Sequence, residues 1–290
     1  MKKVTKAIIP AAGFGTRFLP STKSLPKEML SLIDKPTLQF VVEEAVDAGI
    51  KDILIIISRN KESIINHFDK NIELENHLKE KEKFDEIEKL KKIDKLANIY
   101  YIRQDEPKGL GHAISLGKSF VGDESFAVLL GDDVVMGVNP AINQLIDAHY
   151  NCNSTVLGVQ EVLPENINKY GIISGKKVSP SLTKVDNMVE KPSAENAPSN
   201  IAILGRYVIT PKIFEILESQ SPGVNNEIQL TDALLTLLEF EDVFAKEFVG
   251  KRYDLGSKIG FIKATIDRAI NSEEFREDTL AYIKEIIKNN

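Results

Sequence analysis

Along the first half of the chain, short runs of β-branched and aliphatic residues alternate with longer stretches in which apolar residues recur every third or fourth position. The short runs predict buried strands, and the longer stretches predict helices with one apolar face. Four runs predict strands: KAII (6–9), DILIIIS (52–58), NIYYIR (98–103) and FAVLLG (126–131). The segment 36–49 predicts a helix with Pro36 at its first position and Gly49 as its stop. Strands separated by helices indicate an α/β fold, Rossmann-like, with a mixed, mainly parallel sheet and helices on both faces.

In the second half, the apolar runs are joined by Gly, Pro and Asn turns. The pattern predicts strands at 155–160, 184–190, 201–209 and 243–249, and helices at 211–219, 227–239 and 257–290. Residues 69–97 are dense in Lys and Glu, which is typical of a solvated helical insertion rather than a ligand site. We see no Pro/Ser-rich linker, repeat or low-complexity tract. We therefore expect a single domain over 1–290, with a nucleotide-binding half at about 1–150 and a second half at about 151–290 that completes a cleft.

Charge narrows the class of partner. The chain of 290 residues has a formal net charge of −6, which argues against a general nucleic-acid binder because phosphate-backbone affinity needs a basic face. Locally the sign reverses, since the first 30 residues carry six Lys and Arg residues and only Glu28 as an acid. That local excess favours a small anionic ligand.

Other features of composition bear on the compartment. The single cysteine, Cys152, has no partner for an internal disulfide, which suits a reducing compartment. The first residues lack the apolar core of a signal peptide. The longest apolar run, ILIII at 53–57, is far shorter than a membrane helix needs. We expect a cytoplasmic protein with no membrane partner.

The stretch IIPAAGFGTRFLPSTKSLPKEML (8–30) places a glycine turn after the first strand and three cations beyond it. Phe18 stands where the dinucleotide fingerprint and the Walker A pattern both need glycine, so neither standard phosphate loop applies. Two prolines, Pro20 and Pro26, prevent a long helix from starting at the turn. The cations must then hold any anion: Arg17, Lys23 and Lys27. The alternative is a strand-ending turn with solvated cations.

Several ordered motifs together resemble the sugar-phosphate nucleotidyltransferases, and the bacterial UTP–glucose-1-phosphate uridylyltransferase family in particular. Beside AAGFGTRFLPSTKSLPKEML and DKPTLQFVVEEA, they are RQDEPKGLGHA (103–113), LLGDD (129–133), KYGIIS (169–174), VEKP (189–192), ILGRYVITP (203–211), NEIQLTDALL (226–235) and KRYDLGSKIGF (251–261). The resemblance runs nearly end to end. It implies the nucleotidyltransferase fold, with the sugar site and the oligomer contacts in the second half.

Carboxylates follow one of the predicted strands. FAVLLGDD ends in Asp132 and Asp133, at the carboxyl edge of the sheet where open α/β folds bind ligands. Neighbouring strand residues point opposite ways, so we expect only one of the two to face the cleft. The resemblance implies that Asp132 and Asp254 are the Mg²⁺ ligands, and Mg²⁺ typically takes one or two carboxylates plus phosphates and waters. The alternative for each is a carboxylate that caps a turn.

The base and sugar residues rest mainly on the resemblance. An amide such as that of Gln104 both donates and accepts, as a pyrimidine edge requires, and Gly109 admits close backbone approach. The resemblance implies a uracil site formed by Ala12, Gly13, Gln104 and Gly109. It also implies that Glu190 binds glucose hydroxyls and that Lys191 contacts phosphate, with Gly171 nearby. Asn226 departs from the glycine usual in the family, although Asn tolerates left-handed φ better than most residues.

The implied activity is uridylyl transfer from UTP to glucose-1-phosphate, with UDP-glucose and pyrophosphate as products. Arg17 and Lys27 would act in catalysis by neutralising charge on the transferring group and on pyrophosphate. Three rivals remain: thymidylyl transfer, a nucleotide-sugar-dependent glycosyltransferase, and a UDP-sugar sensor. The sequence Asp132-Asp133-Val134 lacks the Asp-x-Asp pattern common in glycosyltransferases, and a sensor would not need leaving-group cations. The resemblance also implies a homodimer or homotetramer.

Overall fold

The computed structural model describes residues 3–223 and 226–289. The strands of the first half are β1 (Lys6–Pro10), β2 (Ser31–Leu32), β3 (Lys35–Pro36), β4 (Asp52–Ile57), β5 (Asn98–Arg103), β6 (Phe126–Leu129) and β7 (Asp133–Met136). Those of the second half are β8 (Thr155–Glu161), β9 (Gly171–Ser179), β10 (Leu182–Glu190), β11 (Ile201–Ile209), β12 (Val243–Glu247) and β13 (Lys251–Asp254).

The helices fill the connections between these strands. In the first half they are α1 (Thr37–Asp47), α2 (Glu62–Phe68), α3 (Ile72–Glu80), α4 (Phe84–Asp94), α5 (Leu110–Ser115), α6 (Lys118–Val121) and α7 (Ala141–Cys152). In the second half they are α8 (Ile213–Ser219), α9 (Leu230–Leu237), α10 (Lys258–Ile270) and α11 (Arg276–Asn289).

A nine-stranded sheet runs through the described part of the chain in the order β5-β4-β1-β6-β11-β8-β12-β10-β9. The first four strands are all parallel to one another. β11 is antiparallel to β6 and β8, and β12 returns parallel to β8. The α/β class with a mixed sheet is therefore confirmed, with its regular parallel part in the nucleotide-type half.

Helices cover both faces of the sheet, because alternate residues of each strand point to opposite sides. Along β1, Ala7 and Ile9 lie in one core with residues of α1 and α7, and Ile8 lies in the other with residues of α5, α8 and α9. All three side chains are fully buried. Burial on both faces explains why the strand runs are continuously apolar rather than alternating.

The strand predictions are confirmed within a few residues, and three helix predictions need correction. Helix α9 begins only at Leu230, because the preceding residues form a loop. The long pattern at 257–290 is two helices, α10 and α11. Pro36 precedes the first turn of α1 instead of lying in it. β9 and the β7–β13 pair were not predicted, because their alternation of polar residues is too weak to distinguish them from loops.

The Lys- and Glu-rich insertion is solvated, as expected. Helix α3 buries no side chain, and α4 buries only Ile87 among its residues. Among the described helices, none has the length and the apolar character that crossing a membrane would require.

Candidate active site

Four neighbouring parallel strands end at the same edge of the sheet, and a predicted site residue or a cation follows each one. Gly13 follows β1, Lys61 follows β4, Gln104 follows β5 and Asp132 follows β6. Because parallel strands align their carboxyl ends, residues far apart in sequence converge here. The fold thus forms a site from four segments that are distant in sequence. The residue pattern of any one strand does not show that these segments lie together.

The glycine turn does not continue into an α-helix, as its two prolines predict. It instead forms three short 3₁₀ turns, Thr16–Phe18, Ser21–Lys23 and Lys27–Met29. Gly15 adopts φ +66°, and a β-carbon there would lie 3.2 Å from Cβ of Lys27. Glycine at this position lets the turn fold back onto the segment that carries Lys27.

Lys27 and Asp132 form an ion pair at the centre of this edge. Lys27 Nζ donates to Asp132 Oδ2 at 2.6 Å, and the two side chains are 20% and 28% exposed. Burial lowers the pKa of Lys27, but the charge of Asp132 outweighs it, and the net pKa lies above the ordinary value. Burial raises the pKa of Asp132, but Lys27 more than offsets this and the pKa lies below the ordinary value. Both groups are therefore charged at neutral pH.

Asp254 and Arg17 lie beside this pair. A β-carbon on Gly256 would be 3.0 Å from Oδ2 of Asp132, 3.0 Å from Oδ1 of Asp254 and 3.1 Å from a guanidinium nitrogen of Arg17. β13 pairs with β7 so that Asp254 lies opposite Asp133, and the amide of Leu255 donates to the carbonyl of Asp132. The structure brings together both carboxylates and both cations that the sequence singles out.

The donor set fits a divalent cation that is shared with phosphates. Two carboxylates converge on a space that only glycine at 256 leaves open. Within residues 3–223 and 226–289, His, Cys, Asp and Glu side chains form no group of three or more that would hold a metal alone. Mg²⁺ usually completes its shell with substrate phosphates and water, so two carboxylates are sufficient. Oδ1 of Asp254 also accepts from the Gly256 amide, so this carboxylate caps the turn as well.

A buried ion pair that sequence reasoning missed lies under the glycine turn. Lys61 Nζ donates to Glu28 Oε2 at 2.6 Å, and their side chains are 6% and 1% exposed. Burial raises the pKa of Glu28 and lowers that of Lys61, and the opposite charge of each partner counters the shift. Lys61 follows the end of β4, the same position that marks Gln104 and Asp132 on their strands. A search for polar residues just after the end of each predicted strand would have found Lys61.

A cavity of about 450 Å³ lies on one side of Lys27. It is lined by Ala12, Gly13, Gln104 and Lys61, among others. A β-carbon on Gly13 would be 3.7 Å from Nζ of Lys27, so the ammonium group lies next to this cavity. Three of the four residues expected at the uracil site therefore share one concave surface.

Gly109, the fourth residue expected at the uracil site, packs against the loop at 227–228. It adopts φ +98°, and a β-carbon there would lie 2.8 Å from Cβ of Glu227 and 2.8 Å from the carbonyl oxygen of Ile228. A side chain would thus collide with the protein's own 227–228 loop. The Gly109 carbonyl accepts a hydrogen bond from Nε2 of Gln104 at 3.3 Å. Gly109 contacts the site through this bond.

A second cavity, of about 550 Å³, has Asp132 of the ion pair in its wall. It is lined by Arg17, Asp132, Lys191, Asp254 and Arg252, among others. Basic and acidic side chains face each other across it, which suits a phosphorylated ligand together with a cation. The ion pair connects the two cavities, since Lys27 lies next to Gly13 of the first cavity and contacts Asp132 of the second.

Glu190 and Lys191 close strand β10 at the edge of this second cavity. Lys191 Nζ pairs with Oε1 of Glu190 at 2.7 Å, and Lys191 adopts φ +45°. Thr231, which sequence reasoning missed, donates its hydroxyl to Oε2 of Glu190 at 2.6 Å. Gly171 lies opposite Glu190 in the sheet register, and a β-carbon on it would be 2.8 Å from the Thr231 hydroxyl. Gly171 is therefore adjacent to Glu190, as expected.

Asp132 and Asp133 contact different partners, but both line the second cavity, so the expectation that only one of them faces the cleft is wrong. Strand alternation does not apply here, because Asp132 lies in the turn between β6 and β7 and only Asp133 belongs to a strand. Asp133 is 5% exposed and accepts from both Nε and Nη2 of Arg252, at 2.6 and 2.9 Å. Arg252 also donates to the hydroxyl of Tyr170. The pair holds β13 against β7 and thereby positions the neighbouring Asp254.

Asn226 adopts φ +59° in the described part of its loop. Asn is among the few non-glycine residues that reach this left-handed region readily, so the substitution is compatible with the backbone here. The two residues before it, 224 and 225, lie outside the described residues.

Comparison with known proteins identifies the class. The family model of nucleotidyl transferases matches residues 6–269, and the chain belongs to this family. Over 287 residues it is 52% identical to UTP–glucose-1-phosphate uridylyltransferase of Bacillus subtilis (strain 168), covering 99% of this chain and 98% of the relative. A solved UDP-glucose pyrophosphorylase complexed with UDP-glucose superposes with a TM-score of 0.83 at 42% identity, covering 91% of this chain and 98% of that one. A UTP-bound UGPase from Acinetobacter baumannii gives 0.88 at 36% identity, covering 97% and 99%.

Proposed function

We propose that this protein transfers uridylyl from UTP to glucose-1-phosphate, giving UDP-glucose and pyrophosphate. The observation that carries the proposal is the Lys27–Asp132 pair, in which Lys27 lies next to the first cavity and Asp132 lines the second. Three of the residues expected at the base line the first cavity, and Lys191, expected at the phosphate, lines the second. The full-length similarity to uridylyltransferases supports the same reaction.

The reaction needs two anionic substrates brought into line and their charge neutralised. UTP binds with its base in the first cavity, and glucose-1-phosphate binds in the second, where Glu190 accepts from sugar hydroxyls and Lys191 contacts the phosphate. The sugar phosphate oxygen attacks the α-phosphorus, and the bond to pyrophosphate breaks. Lys27 and Arg17 place positive charge beside the transferring group and the leaving group.

Asp132 and Asp254 are the residues that would hold Mg²⁺. When bound, the ion would supply Lewis-acid charge to phosphate oxygens. Asp254 ends β13 and Asp132 immediately precedes β7, so the pairing of these strands and the hydrogen bond from the Leu255 amide to the Asp132 carbonyl hold the two carboxylates close together.

The three alternative functions have less support. A glycosyltransferase commonly carries an Asp-x-Asp pattern, which the sequence Asp132-Asp133-Val134 lacks, and Asp133 is paired with Arg252. A sensor would not need Lys27 and Arg17 beside the carboxylates. A thymidylyltransferase would share every group described, since one added methyl changes binding by only about 1–3 kcal/mol.

Pyrophosphate release tests the proposal directly. Purified protein with UTP, glucose-1-phosphate and Mg²⁺ should release pyrophosphate, and the release should require both substrates. The same assay with dTTP, and with other sugar phosphates, measures specificity. No release with any of these donors would contradict the proposal.

Metal removal provides the second test. We expect EDTA to abolish turnover and added Mg²⁺ to restore it, and Asp132→Asn to lower kcat by about two orders of magnitude or more. Asp242→Asn is a matched control, because Asp242 forms only an exposed pair with Lys184. Full activity of Asp132→Asn at ordinary Mg²⁺ would refute the assignment.

A further inference from the structure

The amide of Gln104 is held by two groups of the protein itself. Its Nε2 lies 2.9 Å from Nδ1 of His112 and 3.3 Å from the carbonyl oxygen of Gly109. The residue is 5% exposed, and it lines the first cavity. Sequence reasoning expects this amide both to donate to and to accept from the ligand, yet its nitrogen already faces two neighbours.

These contacts define which way the amide points. A backbone carbonyl only accepts, so the atom facing Gly109 must be the amide nitrogen. The same nitrogen then donates to Nδ1 of His112, which requires an unprotonated Nδ1 with the ring proton on Nε2. Burial and the charge of Lys108 lower the pKa of His112, with Glu106 opposing them, which keeps the ring neutral at neutral pH. With both amide hydrogens engaged, the carbonyl Oε1 of Gln104 is the atom presented to a ligand.

We infer that His112 is a positioning residue for base selection: it holds the Gln104 amide so that the cavity offers an acceptor to the base. The inference rests on the proposed function. Uracil and thymine carry a hydrogen on N3 that donates to this oxygen. Cytosine has a lone pair on N3, which would face the lone pairs of Oε1. The arrangement therefore selects bases with an N3–H donor, and it does not separate UTP from dTTP.

The selection depends on the cost of rotating the amide. Rotation would bring Oε1 against the Gly109 carbonyl and against the acceptor Nδ1 of His112, which leaves acceptors unpaired on both sides. A site built on buried hydrogen bonds rejects a mismatched ligand because the unpaired groups are costly. Removing the His112 acceptor lowers that cost and lets the amide turn toward cytosine.

Two substitutions separate the hydrogen bond from the volume of the ring. His112→Phe keeps a ring of similar size but has no acceptor, whereas His112→Asn places an amide oxygen near the position of Nδ1. We would measure kcat/KM for UTP and for CTP, each with glucose-1-phosphate and Mg²⁺, and KM for glucose-1-phosphate. The ratio of the two kcat/KM values within one preparation does not depend on the fraction of folded enzyme.

We expect His112→Phe to lower the UTP-to-CTP ratio by about tenfold or more, the factor for one lost interaction of about 1.4 kcal/mol. His112→Asn should keep the ratio within about threefold of the unsubstituted enzyme, and KM for glucose-1-phosphate should stay nearly constant in both. Equal ratios in all three enzymes would overturn the inference while leaving the proposed function intact. Failure of the unsubstituted enzyme to use any nucleoside triphosphate would instead overturn the proposed function.

Discussion

Lys27 lies next to the first cavity, and its ammonium group pairs with Asp132, which lines the second. If it stabilises charge that develops on the transferring phosphate, Lys27→Met should lower kcat by about 10²–10³-fold, the range for one lost donor to developing charge. Binding of UDP-glucose, measured by calorimetric titration, should weaken much less. A large loss of affinity with kcat nearly unchanged would show a ground-state phosphate anchor. Lys118→Met is the control, because Lys118 forms only an exposed pair with Glu218.

Sequence reasoning at the residue scale succeeds where a residue belongs to a recognisable charged motif. It singles out Arg17, Asp132 and Asp254, which the structure places around Gly256. It also singles out Lys27, which pairs with Asp132. It misses His112 and Thr231, whose roles depend on contacts with residues that other elements supply. A lone histidine or threonine carries no pattern of its own, so only the three-dimensional neighbours reveal the contact.

A hydrogen bond from the Thr231 hydroxyl to Glu190 joins the start of helix α9 to the end of strand β10. Thr231 is 8% exposed, so replacement by Val leaves its shape nearly unchanged but removes the donor. We expect Thr231→Val to raise KM for glucose-1-phosphate by about tenfold, the effect of one lost hydrogen bond to a charged group, with little change in KM for UTP.

Steady-state kinetics with each substrate varied in turn measures this split. Thr231→Ser keeps the hydroxyl and should restore most of the lost affinity for the sugar phosphate. Equal increases in both KM values would show a general loss of structure, and would count against a positioning role for Thr231.

Elements were predictable where burial imposes continuous apolar runs, as in β1, β4 and β6. They were not predictable where tertiary pairing decides the conformation. β9 has an exposed second half, Gly175–Ser179, that reads as a polar loop, and it is a strand because β10 pairs with it. The helix predicted at 227–239 starts late because residues before Leu230 donate to and accept from the loop around Lys108 and Gly111.

At the scale of the whole molecule, Arg206 connects three elements around the centre of the sheet. It is fully buried on β11, and it donates to both oxygens of Glu44 on α1, at 2.9 and 2.7 Å, and to the carbonyl of Asp133 on β7. Burial lowers the pKa of Arg206, but Glu44 outweighs it and the guanidinium remains charged.

Arg206→Met should lower the free energy of unfolding by about 3–5 kcal/mol, because it leaves the Glu44 carboxylate buried without its partner. Adding Glu44→Gln should recover part of the loss, since the charge is then removed while an oxygen still accepts from the amide of Ile142. Urea denaturation measures the free energy of unfolding of the single and of the double variant. Lys184→Met, which breaks an exposed pair, should change stability by less than about 1 kcal/mol. A double variant no more stable than Arg206→Met would contradict the argument.

The expectations of a single domain and of a homodimer or homotetramer stay predictions. Apolar side chains on α10 and α11 are exposed, among them Ile259, Ile262, Tyr282 and Ile287. Sedimentation velocity on the full chain measures the oligomeric state.

The proposed division of the site into a base cavity and a sugar-phosphate cavity also constrains the kinetic behaviour of the enzyme. A nucleotide sugar has its base at one end and its hexose at the other, so under the proposed function we expect a bound UDP-glucose to fill both cavities and to exclude either substrate. Pyrophosphate carries neither group and leaves the hexose cavity open. Accumulating UDP-glucose should therefore inhibit its own synthesis by competing with UTP. Pyrophosphate should not compete with glucose-1-phosphate.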